Sequence, residues 1–228
     1  LFGKTTVPVR QWPNSAWTNT NLTVDAYYPD AAAALLDEAG YTLGSDGVRV
    51  GDCNGTQTRL SFNFETTTAP IRIAIATVAQ ADLAKIGVEF TPIHTPAGTF
   101  FGQYVDGGPL TTGNYDMGGY TTGFYPDPYT DSYKCENIPT AANPTGTNWY
   151  HLCDPALSDL METMLDTVDP AARKAILDEA QAYIAENYYV IMMYARGNVY
   201  GSTPRFQFGP LGPESDLNWN AEDWDVTE

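Results

Sequence analysis

Apolar and polar positions along this 228-residue chain alternate between helical and strand periods. Residues 30–39 read as a short helix of strong helix formers, with Asp30 as its cap and Gly40 as its stop. Leu35, Leu36 and Ala39 then face inward. Val48-Arg-Val50, set between two glycine-rich turns, carries hairpin chemistry. Arg59–Glu65 alternates apolar and polar side chains, the mark of a half-buried strand. Residues 69–86 fit two periods. Ile71, Ile73 and Ile75 alternate as in a strand, whereas Ile71, Ile75, Val78, Ala79, Leu83 and Ile86 repeat at helical spacing. Length and alanine content favour a helix ended by Gly87. Val88–Ile93 is the next strand, and residues 97–105 leave room for a short helix. Tyr115–Thr121 reads as a buried strand whose glycines let a ligand or another backbone come close.

A polar loop runs from 123 to about 154, followed by two helices. The first starts at Asp154 or Pro155, with Leu157, Leu160, Met161, Met164 and Leu165 inward. The second starts at Asp169-Pro170, a cap followed by proline at the first helical position, with Ile176, Ala180, Tyr183 and Ile184 inward. Tyr188–Tyr194 reads as a buried strand. Residues 1–24 are irregular, with Trp12 and Trp17 docked, and residues 203–228 form an irregular tail ending in Trp219 and Trp224. No internal repeat is present. Helices alternating with strands define an α/β class: a mixed sheet flanked by helices, in one lobe whose core spans about 25–202.

Hydrophobic residues make up 43% of the chain, enough for a core. Eleven basic residues against 28 acidic ones leave a net charge of −17. Such a chain repels phosphate backbones and anionic membrane surfaces, which argues against nucleic acid as a partner. Scarce lysine with abundant Thr, Asn, Gly, Tyr and Pro is the look of an exported protein. No apolar run is long enough to span a bilayer, and no signal peptide is present. The chain opens on Leu1 without an initiator Met and reads as a processed or truncated piece. Of three cysteines, Cys135 and Cys153 flank a loop that a bond between them would staple; three free thiols is the alternative. Cys53 has no evident partner. No cysteine spacing fits zinc, and only His94 and His151 could assist, so no metal or cofactor is expected.

Catalytic signatures are absent from the sequence. Acidic pairs such as Asp127 with Asp131, or Glu222 with Asp223, arise by chance among 28 acidic residues. There is no nucleophile elbow and no glycine-rich phosphate loop. Cys153 lies near His151 in sequence, but its use in a disulfide is the stronger reading. Asp46, Asp52 and Asn54 miss the spacing of a calcium loop. The better candidate site is Gly118–Tyr129, where Tyr120, Thr121, Thr122, Phe124, Tyr125 and Asp127 combine aromatic faces with small and polar groups. They suit a cleft wall closing on an extended or ring-shaped ligand. Burial of these aromatics in the core is the competing reading. Asn148 and Trp149 are further ligand-binding candidates.

The segment Tyr28-Pro-Asp-Ala-Ala-Ala-Ala-Leu-Leu-Asp-Glu-Ala-Gly-Tyr41 resembles a signature helix of the family 5 extracellular solute-binding proteins of ABC transporters. Four further stretches are similar to that family, in its order: Arg72 through Val88; Tyr115-Asp-Met with Tyr125-Pro-Asp-Pro128; Trp149 through Asp159; and Asp169 through Glu186. Cys135, Cys153 and Trp219-Asn-Ala-Glu-Asp-Trp224 are similar to one branch of it. The resemblance covers roughly 24–226. It implies the second lobe of a periplasmic-binding-protein-like fold of type II, cluster C, whose N-terminal lobe is missing from this chain. It further implies a monomeric, non-enzymatic receptor, lipid-anchored at the extracellular face of the membrane or in the periplasm. Such a receptor binds peptide or oligosaccharide in an interlobe cleft and delivers it to the ABC permease subunits. Peptide-binding relatives place an Asp, here Phe124, against the peptide amino terminus. Dipeptide binders carry an Arg where this chain has Glu65-Thr-Thr-Thr68. With both anchors replaced, a longer or neutral peptide or a stacked sugar is expected. The alternative is a secreted carbohydrate-binding module or glycoside hydrolase.

Overall fold

The computed structural model describes residues 11–13, 15–23, 25–123, 127–195, 200–207, 209 and 218–227. The chain gathers into two compact units: Asp25–Thr121 with Glu136–His151, and Leu1–Val24 with Thr122–Cys135 and Leu152–Glu228.

The first unit opens with helix α1, Pro29–Glu38. Proline at its first position fixes φ, so the helix starts before Asp30, which sits in the first turn without capping it. Gly40, at φ 85°, ends it as expected. The inward face expected of α1 is not there: Leu35 is 65% exposed and the helix buries no residue. Instead α1 is held through its C-terminal end. The side chain of Arg49, itself buried, donates to the carbonyls of Tyr41 and Ile86 and to Asp37. Arg49 lies on β2, Arg49–Cys53, the middle strand of an antiparallel meander with β1, Thr42–Leu43, and β3, Thr56–Arg59.

Next come β4, Ser61–Thr67; α2, Pro70–Lys85; and β5, Glu89–Thr95. β4 and β5 pair in parallel from Ser61↔Glu89 to Thr67↔Thr95. A parallel neighbour needs a long crossover, which resolves the ambiguity of residues 69–86 in favour of a helix. Ala76 and Phe90 are buried, the Phe64 and Phe90 rings lie 4.9 Å apart, and Gln80 Nε2 donates to the Phe90 carbonyl at 2.8 Å. Two single-turn helices follow, α3, Ala97–Phe100, and α4, Pro109–Thr112, burying Phe100 and Leu110. The three-residue β6, Met117–Gly119, completes a parallel sheet of order β5-β4-β6. It was expected to be a longer, buried strand. As an edge strand it leaves Met117 and Gly118 exposed.

The second unit is built on α5, Pro155–Asp166, and α6, Pro170–Glu186. Asp154 and Asp169 cap them through backbone N–H groups. Leu157, Met161, Met164, Leu177, Ala180 and Ile184 are buried, whereas Leu165 is exposed. The irregular residues before α1 dock on α6: Gln181 Oε1 accepts from Asn19 N at 3.1 Å, and its Nε2 donates to the Trp17 carbonyl at 2.9 Å. Trp12 is buried against Tyr133, ring centroids 6.3 Å apart. Tyr188–Tyr194 is irregular rather than a buried strand, with Ile191 75% exposed. Tyr188 takes φ 53°, which breaks an extended run, and no described strand lies beside it to supply a ladder. A two-residue ladder of β7, Phe206–Gln207, and β8, Asp225–Val226, closes the unit. Cys135 and Cys153 form a disulfide; Cys53 is a free, exposed thiol. The chain is therefore mixed α/β, with sheets flanked by helices. No helix among the described residues is long and apolar enough to cross a membrane.

Two predictions follow from the anchors of these units. Arg49→Ala strips the donors from the Ile86 and Tyr41 carbonyls and should lower stability by about 1–3 kcal/mol; an unchanged urea midpoint would refute the anchor. In the second unit, Asp154 Oδ2 accepts from the hydroxyls of Tyr189 (2.6 Å) and Tyr183 (3.0 Å). The Tyr189 hydroxyl is the main cause holding this carboxyl below the ordinary aspartate value. Its stabilisation is full above that ordinary value and is lost as pH falls through the lower, folded one. Asp154→Asn keeps a capping oxygen but not the charge. Its melting temperature should fall less steeply with acid than that of the wild type, and parallel curves would contradict this.

Candidate functional site

The candidate site lies where the chain leaves the carboxyl end of β6. Ligands of open α/β sheets gather outside the carboxyl ends of the strands. Thr66, near the end of β4, pairs with Gly119, and its hydroxyl donates to the Gly119 carbonyl at 2.7 Å. Arg72, in the first turn of α2, donates from Nη1 to that carbonyl at 3.0 Å and from Nη2 to Thr121 Oγ1 at 2.8 Å. Gly119 is obligatory in this packing, because a Cβ there would overlap the ring of Phe64. Tyr120 thus leaves the sheet between a held carbonyl and a held side chain.

Its ring meets three others. Trp149 lies 6.1 Å away, Tyr150 is stacked at 6.2 Å, and Phe101 stands edge-on at 6.3 Å. Phe101 also meets Trp149 at 6.2 Å and remains 39% exposed, so it presents an apolar face to solvent. Burial, with Tyr150 beside it, pushes the Tyr120 phenol well above its ordinary pKa. Burial likewise raises Tyr115 to about 12, and its hydroxyl donates to the Trp149 carbonyl. Both phenols therefore stay protonated at neutral pH. His151 Nε2 lies 3.0 Å from the Leu110 carbonyl, and the imidazole sits edge-on to Tyr115.

Of the residues singled out in the sequence, Tyr120 and Trp149 come together in this wall and Thr121 flanks it. Asn148 is fully buried beside Trp149 in sequence, its backbone N–H donating to the Asn137 carbonyl at 2.9 Å. Thr122 is exposed. Phe124 and Tyr125 lie outside the described residues. Asp127, in the second unit, is held by a bidentate ion pair to Arg173 at 2.7 and 2.9 Å, and Arg173 in turn covers the Trp17 ring. An open cavity of about 480 Å³ is lined by Asp127 to Asp131 and Leu165. Phe101, Tyr150, Tyr115 and Arg72 were not singled out as site residues. The aromatic run Trp149-Tyr-His151 hints at Tyr150, but only the fold brings Phe101 and Arg72 alongside.

The first of the acidic pairs is engaged in ion pairs: Asp127 with Arg173, and Asp131 with Lys134 at 3.5 Å. Cys153 is consumed in its disulfide and cannot serve as a nucleophile. Among the described residues no group of three or more His, Cys, Asp or Glu could hold a metal ion.

Residues 2–140 match the family of bacterial extracellular solute-binding proteins, family 5 (Middle), and the chain belongs to that family. It is 30% identical over 95 residues to the nickel-binding periplasmic protein of Escherichia coli (strain K12), covering 42% of this chain and 18% of that protein. It is 29% identical over 160 residues to di/tripeptide-binding protein 4 of Pseudomonas aeruginosa (strain UCBPP-PA14), covering 69% of this chain and 26% of that one. The fold superposes on the oligopeptide-binding protein AppA of Bacillus subtilis in complex with a nonapeptide. The TM-score is 0.76 at 20% identity, covering 100% of this chain and 44% of the other. The chain thus spans about a quarter or less of those two relatives, and under half of the solved chain.

The contact at Gly119 gives a prediction. Gly119→Ala should force the Phe64 ring aside and cost about 1–3 kcal/mol, read from denaturant unfolding. Gly123→Ala, where a Cβ meets nothing within 4 Å, is the control. Equal midpoints for the two variants would show that the strand end tolerates a side chain.

Proposed function

We propose that this chain is the second lobe of a two-lobed solute receptor serving an ABC importer. The receptor takes up a peptide or similar oligomeric solute in the cleft between its lobes and hands it to the membrane permease. The observation that carries this reading is the aromatic wall of Tyr120, Trp149, Tyr150 and Phe101 at the carboxyl end of a parallel sheet. Flat apolar faces beside Thr121 and Thr122 suit an extended ligand that is recognised along its length. Asn148, a further sequence candidate, is fully buried.

Peptide is the favoured cargo, given relatives named for di- and tripeptides and a neighbour holding a nonapeptide. The receptor works outside the cytoplasmic membrane, tethered by a lipid on its N-terminal side, as a monomer and without catalysing a reaction. The ion pairs of Asp127 and Asp131 and the disulfide at Cys153 tie up three of the groups that a hydrolase would need free.

Calorimetry on the full-length receptor with a library of short peptides tests this. Micromolar binding is expected, weakened roughly tenfold by Trp149→Ala. The segment studied here, lacking its counterpart lobe, should bind far more weakly. Undiminished affinity in the segment alone, or affinity for oligosaccharides only, would favour a stand-alone carbohydrate-binding module instead.

A further inference from the structure

We propose that Arg72 is the positioning residue of the aromatic wall, holding Tyr120 in place and turning the Thr121 hydroxyl into a donor for the ligand. The part concerning ligand rests on the reading of this wall as the cleft surface; the part concerning Tyr120 does not.

The strand that delivers Tyr120 is weakly held. β6 has three residues, and its register with β4 ends at Thr66↔Gly119. Beyond Gly119 the ladder no longer fixes the backbone. Arg72 extends the control by two residues, with one donor on the carbonyl before Tyr120 and one on the side chain after it. A guanidinium suits this task because its donors sit in a rigid plane; an ammonium would act as a point charge. Arg72 is itself fixed by its place in the first turn of α2.

The chemistry of the pair also sets a polarity. Arginine carries donors and no acceptor, so Thr121 Oγ1 accepts from Arg72. The one proton of that hydroxyl is then directed elsewhere, and Thr121 is exposed. That free proton suits a ligand acceptor facing Thr121, such as a peptide carbonyl or a carboxylate. A ligand ammonium would be repelled there by the neighbouring guanidinium.

The test uses the full-length protein labelled with 5-fluorotryptophan. The Trp149 resonance is assigned by its loss in Trp149→Phe. Arg72→Gln should shift or broaden that ¹⁹F signal through the neighbouring Tyr120 ring and leave the Trp12 signal in place. Arg72→Lys, able to hold one acceptor, should give an intermediate spectrum and covers the case in which Arg72→Gln fails to fold. Arg59→Gln, which removes the ion pairs to Asp46 and Glu89, should leave Trp149 unmoved. An unshifted Trp149 signal in Arg72→Lys and Arg72→Gln overturns the positioning role.

Penta-alanine is then titrated by calorimetry. Affinity should fall roughly tenfold in Arg72→Gln and in Thr121→Val, and be kept in Thr121→Ser. Unchanged affinity in Thr121→Val overturns the donor role. If the wild type takes no peptide of any length, the cleft reading and the donor role fall with it, and the Trp149 signal still decides the positioning of Tyr120.

Discussion

The first unit depends on a guanidinium buried beneath two helix ends. Arg49 reaches the Ile86 carbonyl at the end of α2, the Tyr41 carbonyl just past α1, and the Asp37 side chain. Its own backbone N–H donates to the Gly87 carbonyl at 2.8 Å. A buried cation is costly unless its donors are used, and helix C-termini supply the carbonyls and the negative dipole end that use them. α2 is the crossover that sets β5 parallel to β4. Fixing its C-terminal end fixes the strands it joins, and its N-terminal end brings Arg72 to the carboxyl edge of the sheet. One arginine thus settles the frame, and a second, a helix length away, works at the edge where the frame is used.

At that edge the demands of packing and of binding meet in a few residues. A side chain at Gly119 would push Phe64 out of the contact that lets β6 lie against β4. Tyr120 follows at once and is covered by other rings, so most of its surface serves cohesion. The ring face of Phe101 and the hydroxyl of Thr121 are what this edge leaves exposed. Of the aromatics that the sequence leaves open between core and cleft, Tyr120 is largely covered by its neighbours, whereas Phe101, which the fold sets beside it, keeps 39% of its surface exposed. The rings of the wall are uncharged, and its one formal charge is the Arg72 guanidinium beside Thr121.

Much of this was legible in the sequence. Helices α2, α5 and α6 begin within a residue of where prolines and aspartates place them, and α2 ends at its glycine. Those signals are local: a cap, a missing N–H, a left-handed turn. The alternation in Arg59–Glu65 found β4, and the loop flanked by Cys135 and Cys153 is closed by their bond. What failed required knowledge of neighbours. Leu35 has helical spacing and no helix or sheet to face. Tyr188–Tyr194 has the composition of a buried strand and no ladder. Phe101 and Arg72 lie 19 and 48 residues before Tyr120, and only the parallel register sets them beside it.

The bond between Cys135 and Cys153 closes a covalent ring around Glu136–His151, the stretch that carries Trp149 and Tyr150 into the first unit. The chain leaves the second unit at one end of this ring and rejoins it at the other. A protease that nicks the polar excursion between the two cysteines therefore yields no separable pieces: both halves of the polypeptide stay joined through sulfur. The most loop-like part of the wall can thus be cut once without the molecule coming apart.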